Sequence, residues 1–113
     1  MKLAKLSGPV ELVMFVECRA DGATVHPGGR KFGIAELSSA NNPLIEELKR
    51  QMDRRQALAR PGELLPKPHV RYLVWNDGLR SYHAIYPLLR SWDVTKSQQS
   101  IESKEELREA LRQ

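Results

Sequence analysis

One cysteine, Cys18, and three histidines, His26, His69 and His83, are the residues that could supply a nucleophile and its base. A nucleophilic thiol needs its pKa lowered by a helix N-terminus or a nearby cation. Cys18 instead closes the apolar run VELVMFVEC, where a cysteine acts as a small buried residue. The histidines are far apart, with no H-x3-H or C-x2-C spacing, and a single cysteine excludes a four-cysteine zinc site and an intrachain disulfide. Glu11 and Glu17 share one strand face but lie roughly 20 Å apart, too far for an acid–base dyad. Asp21 and Asp77 each precede a glycine, which is turn composition. The stretch HPGGRKFG has glycines and two cations, yet lacks the G-x4-G-K-[ST] spacing and the helix start of a phosphate loop. It is expected to be a hairpin or strand-exit turn. An enzyme built on Asp77, Arg80 and His83 would need a convergent pocket around that turn. These patterns assign no catalytic residue, no metal ligand and no cofactor.

Binding is the chemistry that remains. Leu73–Trp92, LVWNDGLRSYHAIYPLLRSW, gathers most of the aromatic residues. Trp75, Arg80 and His83 are its members expected to be freest to meet a partner. A second candidate surface is cationic: Arg50 and Arg54, with Lys49, Arg55 and Arg60, on a helix that follows Asn42. Arginines interleaved with stacking aromatics hold single-stranded nucleic acid. Glu46, Glu47 and Asp53 interrupt this run, as they do on an ordinary solvated helix face.

The elements that must position these residues follow from local patterns. Val10–Cys18 is β-branched and aromatic and is expected to be a buried strand. Ala20-Asp21-Gly22 turns it into a second strand, Ala23–His26, with a short third piece near Lys31–Ile34. Asn42-Pro43 starts a helix whose apolar face is Leu44, Ile45, Leu48 and Met52, with Leu58 as an extension. Glu46 and Arg50 are spaced for an i,i+4 pair. Arg60-Pro61-Gly62 is expected to end that helix, and Pro61–Pro68 to be loop. His69–Asn76 is a strand with both faces covered. After Asn76-Asp77-Gly78, the spacing of Leu79, Tyr82, Tyr86 and Leu89 predicts a helix packed through those residues. Pro87 keeps a strand at Arg80–Tyr86 open as the alternative. Val94–Ile101 reads as an edge strand, and Ser103-Lys104-Glu105-Glu106 as a capping box before a last helix. The fold class is α+β: a small sheet with an N-terminal β-hairpin and about three helices, in the order β-β-α-β-α-(β)-α. Gly22 and Gly78 are each expected to matter through a positive φ.

The chain has 113 residues, a length for a single domain over residues 1–113, with the possibility of a longer parent protein left open. Its net charge of +4 permits, without requiring, an anionic partner. No run reaches the roughly 18 apolar residues of a membrane span. Ser7, Gly8, Pro9 and Glu11 break the N-terminal apolar run, so it does not read as a signal peptide.

Two segments, FVECRADGATVHPGG and YLVWNDGLRSYHAIYPLL, resemble those of a family of uncharacterised bacterial proteins. That family joins a V-E-C-R-x-D-G hairpin to a later L-V-x-x-D-G-h-x-[ST]-[YF] strand and turn, h being apolar. More loosely, the element order is similar to the soluble domain of ExbD/TolR proteins. Those carry an N-terminal membrane helix with a functional acidic residue, for which this chain has no counterpart. The resemblance implies a non-enzymatic module for dimerisation or protein contact, in an envelope-associated assembly. Nucleic-acid binding through the basic helix face is the alternative. A stand-alone chain is expected in the cytoplasm, and a piece of an anchored protein in the periplasm or envelope.

Overall fold

The structure is a computed structural model that describes residues 11–38, 42–58, 62 and 67–112. The elements in chain order are β1 (Glu11–Arg19), β2 (Gly22–His26), β3 (Arg30–Gly33), α1 (Ile34–Leu37), α2 (Pro43–Ala57), β4 (Lys67–Trp75), α3 (Leu79–Leu89), β5 (Thr95–Ile101) and α4 (Lys104–Leu111). The strands form one five-stranded sheet in the order β3-β2-β1-β4-β5. β1 pairs antiparallel with β2 and β2 with β3, whereas β1–β4 and β4–β5 are parallel. This is the expected α+β class, with the short third strand piece paired as β3 over Arg30–Gly33 and the one-turn α1 added. The parallel pairs need crossovers, which α2 and α3 supply.

The period-two alternation of the central strands divides the core into two layers. Leu12, Met14, Val16 and Cys18 of β1, with Val70, Tyr72 and Val74 of β4, meet Leu44 and Leu48 of α2 and Ile85 and Leu89 of α3. The intervening residues Phe15 and Leu73, with Ile101 of β5, meet Ala110, Leu107 and Leu111 of α4 on the opposite face. β1 and β4 are thus covered on both sides, as their apolar runs require.

Local signals set the helix ends. Asn42 accepts a hydrogen bond from the Leu44 amide at 3.0 Å and Pro43 takes the first helical position. Ser103 accepts from the Glu106 amide at 3.2 Å. Pro27–Gly29 form the expected turn between β2 and β3, with positive φ at Gly28 and Gly29.

Several expectations change. Residues 79–89 are helical, and Pro87 is accommodated in the last turn on an exposed face. The buried stripe of α3 is Ser81, Ile85 and Leu89, so the helix is rotated from the expected face: Leu79 and Tyr86 are exposed. Ser81 is drawn inward because its hydroxyl donates to the Arg19 carbonyl. Arg50 pairs with Glu47, one turn back, instead of Glu46. Leu58 extends no apolar face, being 73% exposed beyond the end of α2. β4 begins at Lys67, so Lys67 and Pro68 belong to the strand. The expected stop at Arg60-Pro61 and most of the loop before β4 lie outside the described residues, as does the N-terminal run through Val10.

Candidate functional site

The residues singled out in the sequence fall in three separate places. Trp75 ends β4 and faces the α4 side of the sheet. It is half-buried, and its Nε1 donates to Glu17 Oε2 at 2.8 Å. Arg80 and His83 are exposed on α3, and Arg50 and Arg54 are exposed on α2. Arg50 is tied to Glu47, which Arg30 also approaches at 3.3 Å. The cationic face of α2 is therefore partly neutralised from within, and Lys49 lies over the Trp92 ring at 5.8 Å.

Glu17 organises a polar cluster that sequence reasoning did not assemble. Its carboxylate is 6% exposed in the residue as a whole. It is held by His26 Nε2 at 3.0 Å, Trp75 Nε1 at 2.8 Å and Arg19 Nη1 at 3.3 Å. The Arg19 guanidinium also covers the Trp75 ring at 4.2 Å from its centroid. The His26 hydrogen bond is the main reason that the Glu17 carboxyl sits below its ordinary pKa, with Trp75 reinforcing it against the opposing effect of burial. The local signal is a carboxylate near the end of an apolar strand, but besides Arg19 its partners come from β2 and β4. Both Glu17 oxygens are engaged, so the cluster is a satisfied polar network.

Cys18 is fully buried on the other face. Burial, with a smaller contribution from Glu17, raises its thiol to about 12. Such a thiol is protonated at neutral pH and is no nucleophile. Among the described residues, no group of three or more His, Cys, Asp or Glu side chains gathers in metal-binding proximity.

The feature with binding geometry is the valley between α3 and β5. Two adjoining pockets lie along it. One, of about 280 Å³, is walled by Tyr72, Tyr82, Tyr86 and Arg90 against Lys96 and Gln98. The next, of about 270 Å³, has Leu79, Tyr82 and His83 on the helix side and Gln98 and Ser100 on the strand side. Tyr82 stacks on Tyr86 with centroids 5.2 Å apart and meets Tyr72 edge-on at 5.1 Å. Arg90 lies over the Tyr86 ring at 5.5 Å. Lys96 donates to the carbonyls of Trp92 at 2.7 Å and Val94 at 3.3 Å, which fixes its ammonium at the mouth of the first pocket. Tyr72 is 3% exposed, and its hydroxyl has no hydrogen-bond partner among the described residues. Of the earlier candidates only His83 borders this valley. Helical spacing alone does not say which stripe faces inward: Tyr72 is in the core and Tyr82 packs against it, whereas Tyr86 is exposed.

The outer side of the valley is the edge of the sheet. β5 is last in the strand order and pairs only with β4 among the described strands. α4 packs on the far face of the sheet, against Phe15, Leu73 and Ile101.

The chain matches no protein-family model, no curated protein and no solved structure.

Proposed function

We propose that this domain is a non-enzymatic protein-interaction or dimerisation module whose contact surface is β5 together with the outer side of α3. The observation that carries this reading is the edge of β5, which no other described strand covers. None of its seven residues is proline, and alternate ones present backbone donors and acceptors on the side away from β4. Beside that edge Leu79 and Tyr86 are exposed at 57% and 36%. An edge strand next to exposed apolar side chains is the usual template for strand addition by another chain. The envelope-associated assembly suggested by the ExbD/TolR resemblance is one setting for such a module. No helix among the described residues is long and apolar enough to cross a membrane.

The test is photo-crosslinking in the source cell. A photoreactive amino acid at Gln98, on β5, should give a discrete adduct with a partner or a second copy. The same probe at Arg54, on α2, should not. Adducts from Arg54 alone would move the contact to the basic helix and revive the nucleic-acid alternative. That alternative predicts binding that weakens steeply with salt, because neutralised phosphates release counterions.

A further inference from the structure

The α3–β5 valley also specifies the chemistry of its occupant. We propose, building on the interaction reading above, that it binds an extended acidic segment of a partner protein, added to β5 as a sixth strand with alternate side chains seated in the two pockets.

Three observations converge. The first is spacing. Both pockets are lined by β5: the first by Lys96 and Gln98, the second by Gln98 and Ser100. Their centres are therefore about two strand residues apart, roughly 7 Å. An added strand turns every second side chain to one face, so positions i and i+2 fall into successive pockets. A helix laid in the valley would offer spacings of three and four instead.

The second is size. At about 280 and 270 Å³, each pocket lies below the roughly 300–1,000 Å³ typical of small-molecule sites. Each suits a single side chain, aromatic in the second, where Val74, Leu79 and the Tyr82 and His83 rings face the polar Gln98, Gln99 and Ser100.

The third is charge. Arg90 and Lys96 border the first pocket and His83 the second, and neither pocket has an aspartate or glutamate in its wall. The Lys96 ammonium uses two of its three donors on Trp92 and Val94, leaving one for an incoming acceptor. Tyr72 lines the same pocket, its hydroxyl buried and without a hydrogen-bond partner among the described residues. A carboxylate side chain at the first pocket takes the remaining Lys96 donor and faces Arg90, and an aromatic one two residues away fills the second. Nucleic acid shares the negative charge, but its backbone cannot continue the hydrogen-bond ladder of β5.

The experiment is selection of a displayed random dodecapeptide library on the intact protein, followed by affinity measurement on synthetic versions of the winners. The expected winners carry Asp or Glu two residues from Phe, Tyr or Trp. Their binding should fall at least tenfold with Lys96→Glu or Arg90→Glu. It should fall similarly when alternate peptide amides are N-methylated. Circular dichroism and thermal melts of each variant establish that it is folded. As a second probe, Gln98→Pro removes a β5 amide without altering charge and should weaken binding also. Winners that are basic, or that show helical spacing, would overturn the acidic-strand proposal. If those peptides still lost affinity with Tyr86→Ala, the interaction reading would stand without it. Winners indifferent to Tyr86→Ala, Lys96→Glu and Gln98→Pro alike, or no winners, would remove both.

Discussion

Gly78 sits so close to Cys18 that a Cβ on Gly78 would lie 2.0 Å from the Cys18 carbonyl oxygen. The φ of Gly78 is −100°, which any residue adopts, so glycine is required here by space and not by backbone conformation. The contact lets the first turn of α3 dock on the end of β1, where Ser81 then bonds the Arg19 carbonyl. Gly22 differs: its φ is +150° and its own Cβ would meet the Phe32 carbonyl at 2.0 Å.

Gly78→Ala should therefore destabilise by about 3 kcal/mol, at the upper end of overpacking costs. Gly29→Ala, where φ is +68° but a Cβ meets nothing within 4 Å, should cost only about 1 kcal/mol. Chemical denaturation of both variants checks the ranking. Equal losses would mean that α3 moves away from β1 without penalty.

Replacing Glu17 by glutamine should cost about 2 kcal/mol at pH 6, the scale of hydrogen bonds to a charged acceptor. Glu17 has a folded pKa below its ordinary value of 4.5, so the unfolded chain takes up its proton first as pH falls. The stabilisation is complete above pH 4.5 and is lost as pH drops through the folded value. The stability gap between the two proteins should shrink from pH 6 to pH 3. A constant gap over that range would show that Glu17 acts through shape and not charge.

The Cys18 thiol should resist alkylation in the native protein. Raising its pKa from 9.0 to about 12 lowers the thiolate fraction near neutral pH by about three orders of magnitude, before burial limits access. Mass spectrometry after iodoacetamide treatment should find modification only with denaturant present. Rapid native labelling would place Cys18 at the surface.

Tyr72→Phe should leave stability unchanged or raise it by up to about 1 kcal/mol, since it deletes a buried hydroxyl that no described residue satisfies. Thermal melts decide this. A loss above 1 kcal/mol would mean that the hydroxyl has a partner in solution. Tyr82→Ala, which removes ring contacts to both Tyr72 and Tyr86, should destabilise by about 2 kcal/mol.

The parts of the fold that were legible in advance are those written in neighbouring residues. Asn42-Pro43 and Ser103 announced two helix starts, and the β-branched run of β1 announced a buried strand. The rest depends on residues distant in sequence. Parallel pairing of Glu11 with Lys67 is invisible locally because no turn joins the two strands. The Glu17 cluster needs His26 and Trp75 from two other strands. The tyrosine valley was hidden by its own periodicity: α3 has polar Ser81 on its buried stripe and apolar Leu79 and Tyr86 outside it. A hydrogen bond to Arg19 decided that rotation, and only the assembled sheet brings Arg19 within reach.

The strand order also sets a sequence of events at the ribosome. β1, β2 and β3 emerge together and can pair as a meander, but β1 keeps one edge bare until Lys67–Trp75 has been made. β4 then inherits the bare edge until β5 arrives. The proposed contact surface is consequently the last stretch of sheet to be completed. A chain interrupted before Thr95 has no valley at all, and offers the apolar strand β4 in place of the polar strand β5 to whatever meets its edge.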